Sequence, residues 1–331
     1  MKKIFVTGSE GFIGSHLVDL LVRKKYKVKA LVQYNSFNSW GWLETLDKKI
    51  LEKIEIVLGD VRDLNEMIFN TKNQDVIIHL AALIGIPYSY IAPKSYIETN
   101  CIGTLNVMEA AKINKVKKII HTSTSEVYGT AKYVPMDENH PINAQSPYSA
   151  SKISADHIAQ SFYNSFNLPV VVLRPFNTFG PRQSLRAVIP TIIGQALNNQ
   201  KIKVGNLKPT RDFNYVEDIV NGFYLTLKSK NKKIFGEVIN LGTGYEVSIK
   251  NLLEIIKKIS NKKLSFQIEN KRIRFKKSEV FRLKANNNKA KRLLRWKPKY
   301  SGVKGLSKAL RLTYSWYLEN NKNLKYNIYN I

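Results

Sequence analysis

Lys3-Ile4-Phe5-Val6-Thr7-Gly8-Ser9-Glu10-Gly11-Phe12-Ile13-Gly14 decides how the rest of the chain is read. A short apolar, partly β-branched run breaks into three spaced glycines and then into an apolar-periodic segment, Ser15–Lys24. That order predicts strand, tight turn, helix. Glycines let the backbone turn sharply and come close to a pyrophosphate, which would then lie against the amides and the positive end of the helix. Gly8, Gly11, Phe12, Ile13 and Gly14 are therefore candidate dinucleotide contacts.

Outward from there, strands and helices alternate. A second strand, Lys27–Val32, should end in an acid for the adenosine ribose of NAD. It runs instead into Gln33-Tyr34-Asn35-Ser36, with neither that acid nor an arginine for a 2′-phosphate, so NAD is expected with NADP left open. The segment Ile54–Asp63 places Asp60 and the Val61 backbone toward the adenine edge. Val76–Ala82 ends in Leu80-Ala81-Ala82, whose small alanines let the strand end lie against a cofactor, so all three are candidate contacts. A helix from about Glu98 to Asn114 carries Asn100, Gly103 and Thr104, the last two read as packing positions. Strand signals at Ile119 and at Val170–Leu173 flank a helix over Tyr148–Asn167. The alternation predicts an α/β fold with a Rossmann-like doubly wound parallel sheet.

Chemistry concentrates between Ile119 and Lys152. The strand end leads into His121-Thr122-Ser123-Thr124-Ser125-Glu126-Val127-Tyr128-Gly129, and the stretch closes on Tyr148-Ser149-Ala150-Ser151-Lys152. Tyr148 and Lys152, four apart, share a helix face. A lysine ammonium beside a phenol favours the phenolate, so a lowered Tyr148 pKa is expected. By itself Tyr-x-x-x-Lys also describes an ordinary exposed pair.

Composition sets the bounds. The 331 residues allow one large or two moderate domains, and 44% hydrophobic with 24% charged residues reads as globular. Thr7-Gly8-Ser9-Glu10-Gly11 interrupts the first apolar run too early for a secretory signal, and no apolar run is long enough to span a membrane. The single Cys101 rules out an intramolecular disulfide and suits a cytoplasmic protein. The net charge of +28 is spread along the chain instead of gathered with interleaved aromatics, so nucleic acid is not the expected partner, although the field would attract a diphosphate. No spacing of Cys or His suggests a metal site.

With these motifs in order, the chain resembles the extended short-chain dehydrogenase/reductase family, and within it the nucleotide-sugar 4,6-dehydratases. Arg174-Pro175-Phe176-Asn177-Thr178-Phe179-Gly180-Pro181-Arg182, Arg211-Asp212-Phe213-Asn214-Tyr215-Val216-Glu217-Asp218 and Val238-Ile239-Asn240-Leu241-Gly242 extend the likeness over nearly the whole length. It implies a Rossmann domain over residues 1–176, with 213–246 returning to it. It also implies a smaller carboxy-terminal α/β domain, 177–212 and 247–331, that binds the nucleotide sugar. The Phe213–Lys228 helix belongs to the returning part, and the tail Asn320–Ile331 reads as partly disordered or packed on a neighbour. A homodimer through the helices near Glu98–Asn114 and Tyr148–Asn167 is implied as well.

Thr124-Ser125-Glu126 discriminates within the family. In its 4-epimerases this turn usually lacks an acid; in GDP-mannose 4,6-dehydratases it reads Thr-Ser-Glu, as here. Tyr34–Trp42, Ile86–Tyr90 and Ser278–Leu283 are similar to dehydratases of legionaminic-acid-type pathways, which act on a nucleotide-linked N-acetylglucosamine. The resemblance implies that Tyr148 takes the proton of the sugar 4-OH, Thr124 hydrogen-bonds that hydroxyl, Lys152 holds the nicotinamide ribose, and Glu126 removes the proton at C5 once C4 is a ketone. Ser125 stands where some relatives have Asp and is a poor acid, which leaves Glu126, once protonated, or a water relay to assist the departing C6 hydroxyl. Asn177, Arg186, Arg211 and Arg274 fall to the substrate, the last with Phe275 where relatives often have Pro. Ile84 and Pro87 form an apolar wall suited to an acetamido methyl or to plain packing. The expected partner is a UDP- or GDP-linked sugar. A 4-epimerase of the same fold, and a non-catalytic nucleotide- or nucleic-acid-binding protein, are the competing readings.

Overall fold

The computed structural model describes residues 2–198 and 201–320. Its central sheet is built from β1 (Lys3–Thr7), β2 (Lys27–Gln33), β3 (Ile54–Gly59), β4 (Val76–His79), β5 (Lys118–Thr122), β6 (Val170–Pro175) and a final strand, Val238–Leu241. The spatial order is β3-β2-β1-β4-β5-β6 and then Val238–Leu241, with every neighbouring pair parallel. Ile4 faces Val28 on one side and Val76 on the other, so the order reverses between β1 and β4. In such sheets the crevice opens at the carboxyl ends of the two strands where the reversal occurs.

Both faces of the sheet are covered, which explains why its strands are nearly continuous apolar runs. Ile4, Val6, Ile78, Ile120 and Val171 pack under the helices Phe12–Arg23 and Val216–Lys228. Their alternates Phe5, Ile77, Ile119 and Val170 pack on the other side, with Val107, Met108, Ala159 and Phe162. A one-residue slip of any central strand would exchange these two sets.

The long helix Pro147–Phe166 has an unambiguous start and stop. Ser146 and Ser149 form a reciprocal capping box, Pro147 opens the first turn, and Asn167 ends it in the left-handed region at φ +53°. The segment expected as one helix from Glu98 to Asn114 divides into a π-helical turn, Ile97–Ile102, and an α-helix, Gly103–Ile113. The helix expected from Phe213 begins at Val216, because Asn214–Tyr215 first pairs in parallel with Thr178–Phe179.

Val188–Asn198, Ile249–Ser260 and Gly302–Glu319 pack on one another beside a two-stranded parallel ribbon, Lys201–Val204 with Ser265–Ile268. Ile249–Ser260 buries Ile249, Leu252, Leu253 and Ile256, one stripe of an amphipathic helix. Of the tail Asn320–Ile331, all but Asn320 lies outside the described residues.

Candidate active site

The crevice at the ends of β1 and β4 is shaped by two glycines that tolerate no side chain. Gly8 has φ +66°, and a Cβ there would stand 2.7 Å from the Ala81 amide nitrogen; a Cβ on Gly14 would be 2.1 Å from the Gly8 carbonyl oxygen. No side chain caps the helix Phe12–Arg23 at Gly11, so its first amides are left for an anion. The Thr7 hydroxyl oxygen accepts the Leu80 and Ala81 amides at 3.2 and 3.1 Å. Thr104 donates to the Asn100 carbonyl at 2.6 Å, so its oxygen accepts from His79 Nε2 at 3.1 Å, and His79 Nδ1 then accepts the Thr7 hydroxyl at 2.8 Å. His79 is therefore the neutral Nε2–H tautomer, in line with burial driving its pKa well down. This chain fixes Leu80 and Ala81 against the glycine loop. Phe12, Ile13 and Ala82 adjoin them in sequence, and the donor set fits the pyrophosphate of a dinucleotide.

Two of the expected cofactor contacts are engaged with protein. Both Asp60 oxygens are held by Arg62, the shortest contact being 2.5 Å, and this bond holds the Asp60 carboxyl below its usual pKa. Val61 is buried under Gly103, where a Cβ would meet Val61 Cγ2 at 2.7 Å. The packing expected of Gly103 is thus a close approach of helix to strand end.

Tyr148, Lys152, Thr124, Ser125 and Glu126 converge at the end of β5, and all but the partly buried Thr124 are buried. Thr124 caps the turn Ser125–Tyr128 by accepting the Glu126 amide at 3.2 Å and lies near enough to the Tyr148 phenol to act on its pKa. The expectation of a lowered Tyr148 pKa is overturned. Burial raises it, Thr124 pulls it down, and the Glu126 charge raises it again; the Lys152 ammonium instead donates to the Thr122 carbonyl at 2.7 Å. Tyr96 packs edge-on against Tyr148 at 6.2 Å, and its own hydroxyl is tied to the Gly85 carbonyl at 2.5 Å.

A buried polar cluster beneath this turn carries no motif in the sequence. Asp156 accepts from Ser123 at 2.5 Å and from Arg174 at 2.9 Å, and lies 3.3 Å from His121 Nε2. The Arg174 guanidinium also lies over the Tyr128 ring at 4.6 Å, and Tyr128 donates to Asn240 at 2.8 Å. Asp156 is four residues beyond Lys152, so the spacing that singled out Tyr148 and Lys152 would have found it one turn further on. Asn100 was equally underread. Its side chain makes both amide bonds to Leu83, 2.8 and 3.0 Å, and donates to Ser151 at 2.9 Å from inside the π-helical turn.

Across the crevice, Arg211 is buried, 3.6 Å from Glu279, and close enough to Glu126 and Arg274 to feel both charges. Arg274 Nη1 and Asn177 Oδ1 are buried with no partner among the described residues. Two guanidiniums close enough to feel each other, one with an unpartnered donor, fit an anionic ligand better than a closed core, whereas the Asn177 oxygen, an acceptor, would need a donor from the ligand. Arg186 is exposed and electrostatically near Tyr96. Of the apolar wall, Ile86 packs with Tyr96 and Tyr148, whereas Ile84 is 67% exposed and Pro87 partly buried.

Comparison with known proteins agrees with this geometry. The family model described as GDP-mannose 4,6 dehydratase matches residues 5–309. The chain is 32% identical to human dTDP-D-glucose 4,6-dehydratase, with 98% of this chain and 92% of that one covered. It is 34% identical to a putative UDP-glucose 4-epimerase of Methanocaldococcus jannaschii, covering 96% and 99%. A dTDP-D-glucose 4,6-dehydratase of Dictyostelium discoideum is 36% identical, but the match spans 62% of its length and 79% of this chain. Among solved structures, the UDP-glucuronic acid 4-epimerase of Bacillus cereus in complex with UDP-glucuronic acid and NAD superposes with a TM-score of 0.85 at 30% identity, covering 96% and 99%. DesIV, the dTDP-glucose 4,6-dehydratase of Streptomyces venezuelae with NAD and TYD bound, gives 0.83 at 26% identity, covering 98% and 99%.

Proposed function

The chain belongs to the GDP-mannose 4,6-dehydratase family of NAD-dependent nucleotide-sugar enzymes, and from that premise we propose that it dehydrates a nucleotide-linked hexose to the 4-keto-6-deoxy sugar. The observation that supports this reading is the buried Glu126, electrostatically coupled to Tyr148 on one side and to Arg211 on the other. An epimerase has to oxidise C4 and let the ketone turn; a dehydratase must also take the proton from C5, and a positioned carboxylate is the group for that.

A dinucleotide held by the glycine loop and Lys152 would supply the hydride acceptor for C4 and the hydride donor for C6. Tyr148 would take the 4-OH proton once the positive charge of a bound nicotinamide offsets the burial that raises its pKa, with Thr124 beside it. Lys152, held on the Thr122 carbonyl, would bind the nicotinamide ribose of a bound NAD. Glu126 would remove the C5 proton and, protonated, assist departure of the C6 hydroxyl as water, after which C5 takes a proton from solvent as hydride reaches C6; Ser125 beside it has no acidity to offer. Asn177, Arg211 and Arg274 receive the diphosphate, and Arg186 stands at the mouth. Ile84 and Pro87, beside the buried Ile86, provide an apolar surface for an acetamido methyl, so N-acetylglucosamine is the sugar we favour, linked to UDP or GDP.

The same reading includes a cytoplasmic homodimer. Its faces would be the helices Gly103–Ile113 and Pro147–Phe166, where Ile113 and Phe166 are exposed. No helix among the described residues is long and apolar enough to cross a membrane. A 4-epimerase remains the second reading, since the Methanocaldococcus and Bacillus relatives carry that name.

Incubation with UDP- and GDP-linked N-acetylglucosamine and hexoses, followed by mass spectrometry, tests both. Loss of one water from a single substrate establishes the dehydratase and names the substrate. A product of unchanged mass and altered retention would replace it with the epimerase.

A further inference from the structure

The end of β2 lacks the acid that usually receives the adenosine ribose, yet a carboxylate stands there. Glu10, carried by the glycine loop and not by the strand, turns its side chain across so that Oε1 accepts the Gln33 amide at 3.0 Å. Gln33 is the last residue of β2. The other oxygen, Oε2, is buried and has no partner among the described residues.

The surrounding loop is built around this residue. Trp42 donates its amide to the Glu10 carbonyl at 3.0 Å, and a Cβ on Gly41 would stand 3.1 Å from Glu10 Cβ. Asn35 closes the same loop, donating to the carbonyls of Gln33 and Ser39 at 3.1 and 2.8 Å. Burial raises the Glu10 pKa while the Gln33 amide opposes the rise. A desolvated carboxylate oxygen without a donor is costly, and such orphans in native proteins point to a missing water or ligand. The neighbouring cation offers no counterweight to added phosphate: Gln33 pairs with Gly59, and Arg62 just beyond is committed to Asp60.

We propose that Glu10 takes over the task of the absent strand-end acid, accepting the adenosine ribose hydroxyls and repelling a 2′-phosphate, so that the enzyme selects NAD over NADP. The proposal rests on the crevice being the dinucleotide site. A hydroxyl donor from the ribose would supply the partner that Oε2 lacks. A phosphate on the same ribose would set two anions against each other, and the Arg62 guanidinium beyond the neighbouring strand is already paired with Asp60.

The test is direct binding. Cofactor-stripped full-length protein is titrated with NAD and with NADP, following the fluorescence of Trp40 and Trp42 beside the loop. Wild type should bind NAD the more tightly, and E10Q should shrink the NADP-to-NAD ratio of dissociation constants by about tenfold or more. An E10A/Q33D variant, with the acid moved to the strand end, should recover the NAD preference. An equal ratio in wild type and folded E10Q, or parallel loss of both cofactors, would overturn the role given to Glu10. Wild type that binds neither dinucleotide would overturn the cofactor assignment of the crevice itself.

Discussion

Arg174 Nη2 and Asp156 Oδ2 meet at 2.9 Å with both side chains 2% exposed. They join β6 to the helix that carries Tyr148 and Lys152, directly under the catalytic turn. Removing one partner strands a charge where water cannot reach it. Asp156→Ala should therefore cost about 3–5 kcal/mol of unfolding free energy, read from the denaturant midpoint. Replacing both, Asp156→Leu with Arg174→Met, should cost clearly less than the two single changes added together. Strict additivity would mean that the pair does not act as a unit.

Acid stability should carry the mark of buried neutral histidines. Burial lowers the His16 pKa to about 4, with Arg182 adding to the effect, and His79 and His121 are lowered by burial too. In each the folded protein binds the proton less readily than the unfolded chain, so stability is complete above the unfolded value near 6.5 and is lost as the pH falls toward 4. His16 Nε2 sits 3.0 Å from the Pro181 carbonyl and is held in the Nε2–H form. His16→Gln can keep that donor without titrating. It should flatten the fall in melting temperature between about pH 6.5 and 4, and an unchanged acid limb would assign the loss to other groups.

Much of the fold was legible because it is written in local, periodic signals. The glycines after β1, the apolar strand runs and the Tyr148–Lys152 spacing each depend on nearest neighbours, and the structure places them as read. What escaped is long-range. Nothing within a few residues of Asp156 announces that Arg174 and His121 will meet it, and Asn100 gives no local sign that it will clamp Leu83. The Tyr148 pKa is hidden for the same reason: helix spacing brings a lysine alongside, but the Thr122 carbonyl that takes its ammonium belongs to β5. Glu10 carries no local signal either, because its neighbour in space, Gln33, is distant in the chain.

The glycine loop offers a sharper structural test. A methyl at Gly14 would press to 2.1 Å from the Gly8 carbonyl, with backbone on the receiving side and nothing flexible to yield. Gly14→Ala should displace the loop and weaken NAD binding by about a hundredfold or more, in the range of 1–3 kcal/mol for overpacking and beyond. Gly11→Ala, whose Cβ meets only the Gly8 oxygen at 3.3 Å, should be the milder change. Calorimetric titration of both stripped variants with NAD checks the order, and equal losses would contradict the geometry.

Glu126 and Arg211 are both buried and feel each other's charge, yet their proposed duties separate kinetically. Glu126→Gln keeps the shape of the side chain but cannot take a proton from C5, so kcat should fall by about 10²–10⁴ with KM little changed. Solvent deuterium should then fail to exchange into C5 of the unreacted substrate. Arg211→Lys preserves the charge and loses the forked donor, so the larger change should be a rise in KM for the nucleotide sugar. Tyr148→Phe, which removes the group that takes the 4-OH proton, should abolish product and C5 exchange alike. If Glu126→Gln left dehydration intact while Tyr148→Phe abolished it, the proton acceptor at C5 would have to lie elsewhere, and the case for dehydration over epimerisation would lose its main support.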